Sequence, residues 1–181
     1  MSPKRCEMNY SAIKTSDIAN GPGVRVTLFV SGCTHRCKGC FNENTWDFSA
    51  GEPFDEAAEA VLLKAGESPY VSGLTLLGGE PFEPSNQAGL LPFLRKWRER
   101  FPGKNVWCYT GCVLERDLLA SSRWRTGHTD EMLSMIDVLV DGPFVETLKD
   151  ISLKFRGSSN QRILDLSGGA HAAKVIPDGA I

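Results

Sequence analysis

Five short runs rich in β-branched and aromatic residues, at 24–30, 73–77, 106–109, 136–140 and 163–166, are set apart by stretches of helical period. That alternation constrains the fold more than anything else in the chain. Val24, Val26, Leu28 and Val30 suit a buried strand. Phe54, Ala57, Ala58, Val61, Leu62 and Ala65 then recur at helical spacing, with Asp55 as N-cap and Gly66 as stop. Leu90, Phe93, Leu94, Trp97 and Phe101 mark a second helical face, in which Pro92 implies a first turn or a kink. Weaker helical stretches lie at 113–119 and around Met132, and 163–166 reads as an edge strand. Strands alternating with helices imply βαβ crossovers and a mostly parallel sheet. A complete eight-unit barrel takes about 250 residues, so 181 residues suffice for part of one. The expected fold is α/β: a partial, half β/α barrel with a curved, mostly parallel sheet. It is read as one domain over 1–181 with its core at about 8–166. Residues 1–7 and 167–181 are expected as mobile ends, because no apolar period ties them down.

In parallel sheets chemistry gathers at the carboxyl ends of strands. Four strand ends carry unusual residues: a cysteine loop, Gly78-Gly79-Glu80-Pro81, Thr110-Gly111 and Asp141-Gly142. They are expected to share one rim. The loop Cys33-x3-Cys37-x2-Cys40 places three thiols within eight residues, directly after the first strand. Thiolate sulfur suits iron, and three ligands on a four-iron cluster leave one iron open to an exogenous group. Two plainer readings compete. One is structural zinc with His35, Cys6, Cys108 or Cys112 as fourth ligand. The other is a redox dithiol at Cys37 and Cys40, which would not need Cys33. Paired glycines at 78 and 79 let the backbone approach a small ligand, and a carboxylate or free carbonyls there can accept hydrogen bonds from an ammonium group. As an isolated feature, Gly-Gly after a strand is usually only a turn.

Six cysteines without an apolar leader point to a reducing compartment, hence a cytoplasmic protein. No apolar run reaches the roughly 20 residues that cross a bilayer. The net charge of −2 supplies no broad basic field for nucleic acid.

Cys-x3-Cys-x2-Cys followed by Phe41, with Gly-Gly-Glu at the next strand end, resembles the radical S-adenosylmethionine superfamily. Asn20-Gly21-Pro22-Gly23-Val24-Arg25, Tyr109-Thr110-Gly111, Val140-Asp141-Gly142-Pro143-Phe144 and Arg156-Gly157-Ser158-Ser159-Asn160-Gln161 are similar to the glycyl-radical activases of anaerobic ribonucleoside-triphosphate reductase. The resemblance runs from about 8 to 166. It implies a 4Fe-4S cluster on Cys33, Cys37 and Cys40, with S-adenosylmethionine chelating the open iron. Reductive cleavage would yield a 5′-deoxyadenosyl radical that takes hydrogen from a backbone glycine of the reductase. Gly39, Cys40 and Phe41 would run along the adenine, and Gly78, Gly79 and Glu80 would meet the methionine amino group. No side chain is expected to act as a catalytic acid or base, because the cofactor carries the difficult step. The partners implied are the reductase and a low-potential electron donor such as flavodoxin.

Several roles stay open at this point. His35 is a ligand or an outer-shell group; Arg36 and Lys38 steer an anion or form a solvated pair. Asp141 holds ribose hydroxyls or caps its own turn, and residues 156–161 dock a partner or order the rim. Cys108 and Cys112 stand where larger residues are expected, which implies added sensitivity to oxidation. The rival functions are a radical enzyme acting on a small metabolite, of the 7-deazapurine-forming kind, and a non-catalytic zinc module.

Overall fold

The computed structural model describes residues 8–181. Eight strands form one sheet: β1 (Asn9–Asp17), β2 (Val24–Val30), β3 (Glu52–Pro53), β4 (Val71–Gly78), β5 (Asn105–Tyr109), β6 (Val138–Asp141), β7 (Arg162–Asp165) and β8 (Lys174–Val175). Their order across the sheet is β3-β1-β2-β4-β5-β6-β7-β8. Three helices accompany them, α1 (Glu56–Gly66), α2 (Pro84–Arg100) and α3 (Thr129–Ser134).

The centre is parallel, β2 to β4 to β5 to β6. The four outer pairings are antiparallel, so the sheet is mixed and not mostly parallel as expected. Crossovers through α1, α2 and α3 make the central strands parallel, whereas the flanking strands join by shorter returns that reverse direction. β1 escapes the sequence reading because Asn-Tyr-Ser-Ala-Ile-Lys-Thr-Ser-Asp has no dense apolar run. β2 holds it in place through a register with two irregularities. β7 is not the edge: β8 pairs outside it. The segment after 167, expected to be loose, instead docks through β8 and packs Ile176 and Ile181 against Trp107, Val140 and Ile163. Cys6 lies outside the described residues.

Strand alternation sorts the side chains. Val26, Leu28, Val30, Leu74, Leu76, Val106, Cys108, Leu139 and Leu164 join the helices in one large core. Arg25, Thr27, Phe29, Thr75, Leu77, Trp107 and Tyr109 alternate with them along the same strands and so point to the other face. In α1, Asp55 Oδ1 accepts from Ala58 N–H at 3.0 Å, the expected N-cap. α2 begins at Pro84, a position where a missing N–H costs nothing, so Pro92 falls inside the helix, on its exposed side. The stretch at 113–119 forms a wide, π-type turn at Leu114–Leu119.

Candidate active site

The face away from the helices carries a cavity of about 440 Å³. Cys33, Cys37, Cys40, Phe41, Gly78, Gly79 and Glu80 all line it. So do Thr110, Gly111 and Gly142, which makes the shared rim real for all four strand ends. Gly39 is the exception among the expected contacts. It is exposed, at φ +73°, and its Cα faces the Glu146 carboxylate.

The cysteine loop is shaped by backbone. Gly32 sits at φ +95° with its Cα against the Phe48 ring, where a Cβ would lie 2.3 Å from carbon. Gly32 N–H and Cys33 N–H donate to Thr45 O and Trp46 O at 2.7 and 3.1 Å. Arg36 takes the left-handed conformation at φ 50°. A backbone N–H reaches one of the sulfurs, Asn42 donating to Cys40 Sγ at 3.3 Å. Such donors stabilise metal-bound sulfur and tune its potential. Burial, with the Glu80 charge next, pushes the Cys33 thiol up to about 12, and burial also raises Cys37. Thiols held neutral in this way give up their protons to a bound metal. Three cysteines lining one cavity fit an iron–sulfur cluster, and among the described residues no fourth cysteine lines it.

The Gly-Gly-Glu segment locks against that loop. Gly78, at φ +103°, packs on the backbone of Phe29, and a Cβ on Gly79 would lie 2.5 Å from Gly32 O. Gly79 N–H donates to Val30 O at 2.7 Å and Glu80 N–H to Gly32 O at 2.8 Å. The Glu80 carboxylate is buried and fully engaged. Oε1 accepts from Phe82 N–H at 2.9 Å and Thr110 Oγ1 at 2.7 Å, and Oε2 accepts from Gly111 N–H at 2.8 Å. His35 Nε2 lies 2.8 Å from the same Oε2. Glu80 therefore joins three strand ends, and its carboxylate has no capacity left for an ammonium ligand.

His35 is stacked on Trp124, with ring centroids 4.3 Å apart. It acts behind the loop, in contact with Glu80 and 3.7 Å from Cys112 Sγ. Those three ligand atoms lie within 4.8 Å of one another, yet Glu80's saturation argues against a metal there. Cys108 and Cys112 are fully buried among the helix-side residues, and burial raises both thiols, so the expected exposure to oxidants is absent. Arg36 lies over the Trp46 ring at 5.9 Å, and Lys38 reaches Glu146 at 3.5 Å from a solvated position. Asp141 accepts from Leu114 N–H at 2.9 Å and from Arg162 Nε at 2.9 Å. It caps the π-type turn and does not line the cavity.

The segment 156–161 orders the rim. Gln161 Oε1 accepts from Gly157 N–H at 2.8 Å, Gln161 Nε2 donates to Gly142 O at 3.1 Å, and Asn160 Nδ2 donates to Pro143 O at 2.8 Å. Gly157 admits no Cβ because the Phe41 and Phe144 rings, 5.1 Å apart, close over it. Two anchors escaped the sequence reading. Glu83 Oε1 accepts from Thr34 N–H at 2.7 Å, and Asn86 Nδ2 donates to Ser31 O at 3.0 Å. Their signal was present as polar residues spaced by three where a helix starts, but only the fold shows that they face the cysteine loop.

A family model described as a 4Fe-4S single cluster domain matches residues 19–164. The chain is 46% identical over 158 residues to an anaerobic ribonucleoside-triphosphate reductase-activating protein of Pasteurella multocida, covering 86% of this chain and 96% of that one. The Escherichia coli K12 protein of the same name is 42% identical over 156 residues, with 85% and 96% covered. That of enterobacteria phage T4 is 38% identical over 162 residues, with 90% and 97% covered. With the cluster model spanning most of its length and these relatives matched almost end to end, this chain belongs to the family of anaerobic ribonucleoside-triphosphate reductase-activating proteins.

Proposed function

We propose that this chain activates an anaerobic ribonucleoside-triphosphate reductase by installing a glycyl radical on it. The observation that carries this reading is the set of three cysteines on the wall of a cavity shared with Gly78 and Gly79. When bound, the 4Fe-4S cluster with S-adenosylmethionine supplies reductive cleavage of the sulfonium and, from it, hydrogen abstraction from a reductase glycine. The residues of the chain hold and shape. Cys33, Cys37 and Cys40 ligate the cluster. Phe41 gives a ring face and Cys40 backbone to the adenine, with Gly39 behind them. Since the Glu80 carboxylate is engaged, the carbonyls of Gly78 and Gly79 take the methionine amino group. Phe29, Leu77 and Phe144 make the cavity wall apolar and exclude water from a reactive centre.

The open sheet with its strand ends on one rim supports a half β/α barrel of the radical S-adenosylmethionine type, in one domain. A flavodoxin-like donor supplies the electron, and the exposed Lys38 and Lys149 beside the cavity suit an acidic partner of that kind. The setting is cytoplasmic, without nucleic acid or membrane; no helix among the described residues is long and apolar enough to cross a bilayer.

The test is anaerobic reconstitution, reduction with S-adenosylmethionine present, and addition of the reductase. The expected result is 5′-deoxyadenosine together with a glycyl radical signal on the reductase. Turnover of a small molecule without any partner, or a colourless protein with one zinc, would overturn the reading.

A further inference from the structure

Between Cys33 and Cys37 the loop has one inward side chain. Thr34 and Arg36 are exposed, whereas the His35 side chain is only 14% exposed. Arg36, at φ 50°, turns the chain directly after it. The segment that carries both cysteines therefore pivots on the His35 ring.

Three groups close on that ring. Trp124 stacks on its face, with centroids 4.3 Å apart and planes 16° from parallel. Glu80 Oε2 lies 2.8 Å from Nε2. Gly111, just past β5, faces the edge: a Cβ there would lie 2.7 Å from His35 Cδ2 and 2.8 Å from Nε2. Gly111 is not in the left-handed conformation, so what glycine supplies here is room for the ring and not backbone freedom.

Trp124 is itself fixed from behind. The buried Gln87 amide donates from Nε2 to Trp124 O at 2.7 Å and to Phe82 O at 2.6 Å, while its Oε1 accepts from Thr126 Oγ1 at 3.0 Å and Thr129 Oγ1 at 2.7 Å. Both donors and both lone pairs of that amide are used. Arg123 lies over the same indole at 3.8 Å. A ring confined on its face and its edge keeps one rotamer, and a ligand loop held in one conformation beforehand loses less freedom when it binds.

We propose that Gly111 and Trp124 form a slot for the His35 ring and through it hold the Cys33–Cys37 span ready for the cluster; all three are positioning residues and none ligates iron. This rests on the cluster reading above. The test is a double-mutant cycle on the anaerobically reconstituted holoprotein, read as the rate of iron transfer to a ferrous chelator and as the EPR signal of the reduced cluster. Gly111→Ala adds one methyl where the ring stands, and His35→Ala empties the slot. Each change alone is expected to speed iron loss about tenfold, the low end for groups that orient the ligands of a metal, and to shift the EPR signal. In the pair, the second change is expected to add less than about twofold, within the scatter of such cycles, because the methyl then meets no ring. If Gly111→Ala leaves no folded protein, Trp124→Leu takes its place in the cycle under the same expectations. An iron-release rate or an EPR signal that stays wild-type, even with a lowered melting temperature, overturns the inference alone, and so do effects that multiply in the pair. A wild-type protein that reconstitutes without a four-iron cluster instead removes the cluster reading.

Discussion

On the helix side of the sheet, Leu28, Leu74, Leu76, Val106 and Leu139 are fully buried against α1, α2 and α3. On the other side, Phe29, Leu77 and Tyr109, their neighbours along the same strands, line an open cavity and leave a phenol unpaired. The first face is filled with apolar atoms in contact, which is how folding free energy is accumulated. The second face carries the Cys33 and Cys37 thiols that burial raises, glycines in left-handed conformations and unsatisfied polar atoms, each of which works against stability. A single strand thus serves two ends by alternation alone: even positions of β2 hold the core, while odd positions turn to the other face, where Phe29 lines the cavity. The less stable face is tolerable because the other supplies the surplus.

The largest test of this division removes a cluster ligand. Cys37→Ala is expected to bring iron content and 5′-deoxyadenosine formation to background, while the metal-free variant unfolds in urea within about 0.5 kcal/mol of the metal-free wild type, because the residue sits on a loop outside the core. Retained cleavage would remove Cys37 from the ligand set. Next comes a pair of adjacent leucines. Leu76→Ala, on the helix side, should cost about 2–5 kcal/mol in urea unfolding. Leu77→Ala, facing the open cavity, should cost only about 1–2 kcal/mol, since solvent or ligand can fill the space; equal costs would erase the contrast between the faces. An effect of similar size is expected at the joint between them. Glu80→Gln opposes an amide N–H₂ to donors that now meet a carboxylate, at about 2 kcal/mol, with partial loss of iron as the His35 anchor loosens. A variant with wild-type stability and full iron would show that Glu80 does not brace the loop.

Local pattern determined much of this protein. The alternation in β2, β4 and β5, the helical period and cap of α1, and the Cys-x3-Cys-x2-Cys spacing are properties of short windows, so they are readable without the fold. Grouping strand ends on one rim also follows from sequence, because parallel strands joined by crossovers must end together. Tertiary structure decided the rest. β1 and β8 are strands only because β2 and β7 offer edges to pair with, and no periodicity announces them. Glu80 looked like a ligand-facing carboxylate, yet four donors from Phe82, Thr110, Gly111 and His35 consume it, and those donors lie as much as 45 residues away. Asp141 is taken by Leu114 and Arg162 for the same reason. Sequence specifies which groups arrive at the rim; which of them remain free for chemistry depends on hydrogen bonds between segments distant in the chain, and only packing brings those segments together.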